Sequence, residues 1–136
     1  MSPRNRLLYT LAMLICVIAA MHLAATIFFL YWTLWWYDII LHFLGGVFVG
    51  LLVLWLQFLS GYFGTPALPS SRKVFSVMLV AVLAVGVGWE VFERLLGHTW
   101  SVEGYWLDTS VDVVLDLLGS VVAFFHFKSR YMNRGQ

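Results

Sequence analysis

Four apolar runs, at 7–32, 39–58, 74–96 and 108–127, leave this chain little choice of solvent or of architecture. Each is close to the ~20 residues that carry a helix across the hydrocarbon of a bilayer, and helix is forced there because lipid offers no partner to unpaired backbone groups. Composition agrees, since 62% of the residues are hydrophobic and 11% charged, against about half and a quarter in a soluble domain. The expected fold class is therefore all-α, a single transmembrane domain of four helices over residues 1–136. The first run follows the basic start "MSPRNR" in the manner of a signal peptide, but it continues through "TIFFLYW" past any cleavage site and reads as a retained span. Between the second and third runs, "SGYFGTPALPSSRK" carries turn chemistry, while "TLWWY" and "GHTWSVEGYWL" make the other two connections.

Charge placement sets the orientation. Seven of the eight Lys and Arg residues, namely Arg4, Arg6, Arg72, Lys73, Lys128, Arg130 and Arg134, fall at one end of the spans. The positive-inside rule assigns that end, and with it both termini, to the cytoplasm. Tyr31, Trp32, Trp35, Trp36, Tyr37, Trp100, Tyr105 and Trp106 gather at the other end as an interfacial aromatic belt. A net charge of +1 without a basic stripe gives no footing for nucleic acid, and the single cysteine, Cys16, excludes an internal disulfide and any cysteine-based metal or haem signature. The expected location is the bacterial cytoplasmic (inner) membrane, multi-pass.

In this topology all the acids fall in the outer half: Asp38, Glu90, Glu93, Asp108, Asp112, Asp116 and, in a loop, Glu103. At ~1.5 Å rise per residue, His42, Glu93 and Asp112 sit at a common depth of roughly 6 Å, with Glu90 and Asp116 one turn deeper. The i, i+4 pair Asp38 and His42 in "DIILH" suits two ligands of one metal or a carboxylate orienting an imidazole. Glu90 and Glu93 are neighbours in "EVFER", where an ion pair between Glu90 and Arg94 is the plainer reading. Asp108 reads as an N-cap, whereas Asp112 and Asp116 lie inside the span, where ionisable groups turn to the bundle interior and find partners. So many acids in one place require protons or a bound cation. Oxygen ligands with an imidazole suit a divalent ion (Mg, Mn, Ca, Zn or Fe), with His42, Glu90, Glu93, Asp108, Asp112 and Asp116 as the candidate ligands. His22 lies at a depth that could join them, and His126 lies at the opposite end. Gly46-xxx-Gly50 and Ala84-xxx-Gly88 are small-residue pairs that allow close helix packing.

The blocks "YDIILHFLGG", "GWEVFER" and "DTSVDVVLDLLGS" resemble those of the YjdF-like small bacterial inner-membrane proteins of unknown function, and more distantly the VanZ-like membrane proteins. Over about 36–125, the resemblance marks Asp38, His42, Glu90, Glu93, Asp108, Asp112 and Gly119. Asp116 departs from the VanZ-like pattern, where Asn or a small residue is usual, and Arg94 lies outside it. The resemblance to VanZ-like proteins implies a cell-envelope setting without a defined reaction. Two functional classes follow from the residues. One is a metal-dependent hydrolase or transferase acting from outside on a membrane lipid or lipid-linked phosphate, with His42 as acid or base steered by Asp38 and Arg94 meeting the anionic substrate. The other is a cation- or proton-binding or transport module. A third possibility is an assembly subunit whose cluster is a structural metal or ion-pair lock. The oligomeric state is not readable.

Overall fold

The computed structural model describes residues 2–63, 70–97 and 104–132. Five α-helices follow in order: α1 (Pro3–Ile27), the short α2 (Leu30–Thr33), α3 (Tyr37–Phe58), α4 (Ser71–Leu96) and α5 (Tyr105–Phe127), which continues into a π-helical turn, Lys128–Met132. There is no strand among the described residues. Four of the helices are long and apolar enough to span a membrane. Trp100, Glu103 and Arg134, to which the sequence assigns places in the outer loop and the basic end, lie outside the described residues.

Local chemistry sets the helix ends. At the start of α1, Ser2 accepts a hydrogen bond from the Asn5 backbone N–H at 3.3 Å, and proline follows where its missing N–H costs nothing. α4 closes on Gly97, whose φ of 73° is the left-handed cap that glycine adopts freely. The first span stops at Ile27, short of the expected 32, because Phe29 takes a left-handed φ of 55°. That conformation breaks the helix and costs a residue with a Cβ about 1–2 kcal/mol. It turns Tyr31 back toward α1, where its hydroxyl and His22 Nδ1 share a hydrogen bond at 2.6 Å.

α3 and α5 form the closest pair, while α1 leans on α3 and α4 packs against both α3 and α5. Lipid tails are as apolar as leucine, so association in a bilayer rests on close packing of small residues and on hydrogen bonds. The sequence supplies both. A Cβ on Gly46 would run into the Asp116 carbonyl, and one on Gly119 would run into the Phe43 carbonyl, so at these two glycines the helix backbones touch. Gly50, the second member of the first small pair, faces Ser120 and Ala123 of α5. The second pair behaves differently. Ala84 and Gly88 are exposed, and a Cβ on Gly88 would meet nothing within 4 Å. The buried seam of α4 instead runs Val74, Met78, Val82, Gly86, Glu90, one residue per turn, so Gly86 is the glycine that packs.

Along the bundle, polarity is divided. Toward the end bearing the termini, Leu7, Leu11, Leu51, Leu54, Val74, Met78 and Phe127 form a closed apolar core. Toward the other end, the same seams of α3, α4 and α5 become His42, Glu90, Asp112 and Asp116, all buried. Trp32, Trp35, Trp36 and Trp106 stand exposed around that end, as an interfacial belt requires.

Candidate functional site

His42 is the hub. It is 7% exposed and projects from α3 among carboxylates of three helices. Its Nε2 lies 3.8 Å from Asp38 Oδ1, 3.9 Å from Glu90 Oε1 and 3.9 Å from Asp112 Oδ2, and its Nδ1 lies 3.7 Å from Asp116 Oδ2. Asp38 is one turn earlier on the same helix face, as the i, i+4 spacing predicts. Asp112 and Asp116 reach the imidazole because the glycine contacts bring α5 against α3. Glu90 arrives at the end of the α4 seam. The glycines thus act directly on the site: a Cβ on Gly86 would come within 2.6 Å of Asp116 Oδ2, so the bare backbone there leaves room for that carboxylate.

Every one of these separations is longer than the 2.7–3.2 Å of a direct hydrogen bond. Donor atoms held ~2.0–2.4 Å from one divalent ion stand about 3–4 Å from each other, which is the spacing of His42 Nε2 from the Asp38, Glu90 and Asp112 oxygens. Two overlapping sets, Asp38 with His42 and Asp112, and His42 with Glu90 and Glu93, have ligand atoms that all lie within 4.8 Å of one another. Glu90 Oε1 is buried and has no hydrogen-bond partner, a costly state for a carboxylate oxygen and one that a cation would relieve. Oxygen-rich with one imidazole, the donor set fits a hard or borderline divalent ion.

The other predicted residues stand apart from this centre. α5 begins at Gly104 as N-cap, one turn earlier than expected, so Asp108 lies exposed in the first helical turn and caps nothing. It belongs to neither set of converging ligand atoms. The Arg94 guanidinium lies 4.6 Å over the Tyr105 ring, a cation–π contact at the rim. His126 is exposed at the opposite end.

Two residues, Thr109 and Tyr31, join the site that spacing alone did not place there, and His22 joins it at the depth expected of it. Thr109 donates from Oγ1 to Glu90 Oε2 at 2.9 Å, fixing the carboxylate so that Oε1 faces the imidazole. The signal available was position: Thr109 lies one turn before Asp112 on the same helix. His22 and Tyr31 complete the wall of a cavity of ≈ 200 Å³ between α1 and α4, with His42, Asp38, Glu93 and Asp116 at its polar end and Ile18, Val49, Val82 and Val85 along its apolar length. Burial, helped by Asp38 and Glu93 nearby, pushes the Tyr31 hydroxyl up.

The fold and site therefore define a membrane protein built as a four-span helical bundle around a buried histidine–carboxylate cluster. A family model described as "Predicted membrane protein (DUF2238)" matches residues 1–134, and the chain belongs to that family. No curated protein and no solved structure matches it.

Proposed function

We propose that the His42 cluster is a divalent-metal site serving hydrolysis or group transfer on a membrane lipid or lipid-linked phosphate at the outer face of the bacterial cytoplasmic membrane. The observation that carries this reading is the buried Glu90 Oε1, without a hydrogen-bond partner and 3.9 Å from His42 Nε2, which itself stands at ligand-to-ligand spacing from Asp38 and Asp112. His42 through Nε2, with Asp38, Glu90, Glu93 and Asp112, are the residues that would hold the ion. A bound divalent ion supplies Lewis acidity toward a phosphoryl oxygen or a water. Asp116, on the Nδ1 side of the ring, is placed to accept that N–H and orient the His42 imidazole, and Thr109 holds Glu90 in place. The cleft between α1 and α4 supports an amphiphilic substrate, because its apolar walls lead laterally to the polar end. Arg94, at the rim, offers a cation to an anionic headgroup. The likeness of the three motif blocks to YjdF-like and VanZ-like proteins supports the envelope setting.

The same geometry favours one competing reading, an imidazolium locked among four carboxylates with a purely structural role. A transport path is less well supported, since the apolar core beyond Asp116 fills the half of the bundle on the side of the termini. Two measurements test the proposal. With Cys16 replaced by alanine, a cysteine at the exposed Trp35 should react with an impermeant reagent from outside the cell, and a reporter after Gln136 should read cytoplasm; the reverse pattern would turn the site inward. Purified protein supplied with a prenyl phosphate and each candidate metal in turn should, with at least one of them, hydrolyse it to the prenol and inorganic phosphate, water being the acceptor. His42→Ala, which removes the imidazole shared by both ligand sets, should lose at least ~10-fold of that rate. Equal rates in both proteins would reject the catalytic assignment.

A further inference from the structure

α1 packs on α3, and α4 packs on α3 and α5, so the cavity of ≈ 200 Å³ runs between α1 and α4 over the surface of α3. Its lining changes character along its length. On α3 it passes from Asp38 and His42 through Gly45 to Val49, and on α4 from Glu93 through Gly86 to Val82, each at helical spacing. Ile18 of α1 faces the apolar part. The floor is firm, with Gly46, Val82 and Gly86 buried and Gly45 and Val49 half-buried. Val85 and Trp89 stand exposed along the α4 edge, which is where a cleft that opens to lipid has its rim. Two hydrogen bonds hold the α1 bank at its distance: Tyr37 donates its hydroxyl to the Met21 carbonyl at 3.0 Å, and Tyr31 pairs with His22 Nδ1 at 2.6 Å.

We infer that this cleft seats the first carbons of a lipid phosphate that has a single hydrocarbon chain, and admits it sideways from the bilayer. The inference rests on the reading of the His42 cluster as the place where the head reacts, and adds the class of the tail. Size supports one chain. An apolar cavity of about 150 Å³ takes one benzene ring, so ≈ 200 Å³ seats a few carbons of one chain and leaves no space for a second beside it. Depth supports a short grip: from His42 to Val49 the helix rises only ~10 Å, and further along the bundle Leu11, Leu51 and Met78 belong to the closed core. A longer tail therefore leaves between α1 and α4 into the surrounding lipid. A two-chain phospholipid carries both tails on the glycerol next to its phosphate, so bringing that phosphate to His42 would bring the start of both tails into a cleft that holds one. Bilayer lipid filling a loose helix contact would need only an apolar gap; it does not require one that ends at a buried histidine ringed by carboxylates.

Photocrosslinking of the full-length protein in phosphatidylcholine nanodiscs tests the assignment. Octadecyl phosphate with a diazirine near its head should label peptides containing Ile18, Val49 or Val85 at least about fivefold more than phosphatidic acid with a diazirine at the same distance from its phosphate, a difference of tail alone. Ile18→Trp and Val49→Phe, which fill the cleft from opposite banks, should each cut that labelling about tenfold, with metal retention unchanged. Ile15→Trp, on the exposed face of α1 outside the cleft, should leave labelling at the wild-type level. Unlabelled farnesyl phosphate and octadecyl phosphate should both displace the probe, the better competitor marking the natural tail as isoprenoid or straight, while phosphatidic acid should not. The comparison of the two probes on the wild type holds whether or not a variant folds. Equal labelling by both probes, or an equal loss from Ile15→Trp and Ile18→Trp, overturns the single-chain assignment even where metal is retained and prenyl phosphate is hydrolysed. Selective labelling that persists in a metal-free His42→Gln protein upholds the tail site and removes only the metal reading.

Discussion

Stripping divalent metal from the wild-type protein should lower its unfolding free energy by about 3 kcal/mol, whereas Asp112→Asn should lose far less on the same treatment. The magnitude follows from mass action: a ligand that binds only the folded state at about a hundred times its dissociation constant contributes roughly 2.7 kcal/mol. Asp112 is the informative position because its Oδ2 faces His42 Nε2 at 3.9 Å and the side chain is buried, while asparagine preserves its shape. The ion-pair reading predicts another pattern. If a protonated His42 were locked among its carboxylates without metal, removing one partner would cost about 3–5 kcal/mol whatever the metal concentration. A chelator would then leave the wild type unaffected.

A second large effect is expected at the contact that assembles the site. Gly119→Val places a branched side chain against the Phe43 carbonyl and the backbone of Val47, neither of which can rotate away. α5 must then move off α3. Overpacking of this kind costs about 1–3 kcal/mol in ordinary cores and more where backbone meets backbone, so a loss of at least about 3 kcal/mol is expected in detergent unfolding, together with loss of metal binding as Asp112 and Asp116 withdraw from His42. Gly88→Val is the matched control, since a Cβ there meets nothing within 4 Å. It should change stability by no more than about 0.5 kcal/mol. Equal effects at the two positions would mean that the α3–α5 contact does not organise the bundle.

Much of this was legible in residue spacing. The spans follow from run length, and the convergence of His42, Glu90, Glu93 and Asp112 follows from counting inward from the aromatic end, because helices of fixed rise put equal counts at equal depths. What the sequence hid depends on helix phase and on single backbone conformations. Nothing before Asp108 distinguishes an N-cap from a first-turn residue, so the extra turn from Gly104 moved it to the rim. Ala84-xxx-Gly88 and Gly86 are equally small, and only the phase of α4, set by Val74, Met78 and Val82, decides which of them faces the bundle. The pairing of His22 with Tyr31 rests on the left-handed turn at Phe29, a residue type that rarely adopts it. Spacing puts Arg94 one turn from Glu90, and that its guanidinium also covers the Tyr105 ring is a matter of side-chain direction, which spacing does not give.

The central claim is that His42 and its carboxylates hold a divalent ion, and metal analysis after equilibrium dialysis tests it most directly. Wild type, dialysed against micromolar Mg, Mn, Ca, Zn and Fe(II) in turn, should retain one ion per chain of at least one of these metals, and His42→Gln and Glu90→Gln should retain less than a tenth of that. Asp108→Asn, altered at the rim, should stay near the wild-type value. A wild type that retains none of these metals, or a His42→Gln protein that retains as much as wild type, would contradict the account.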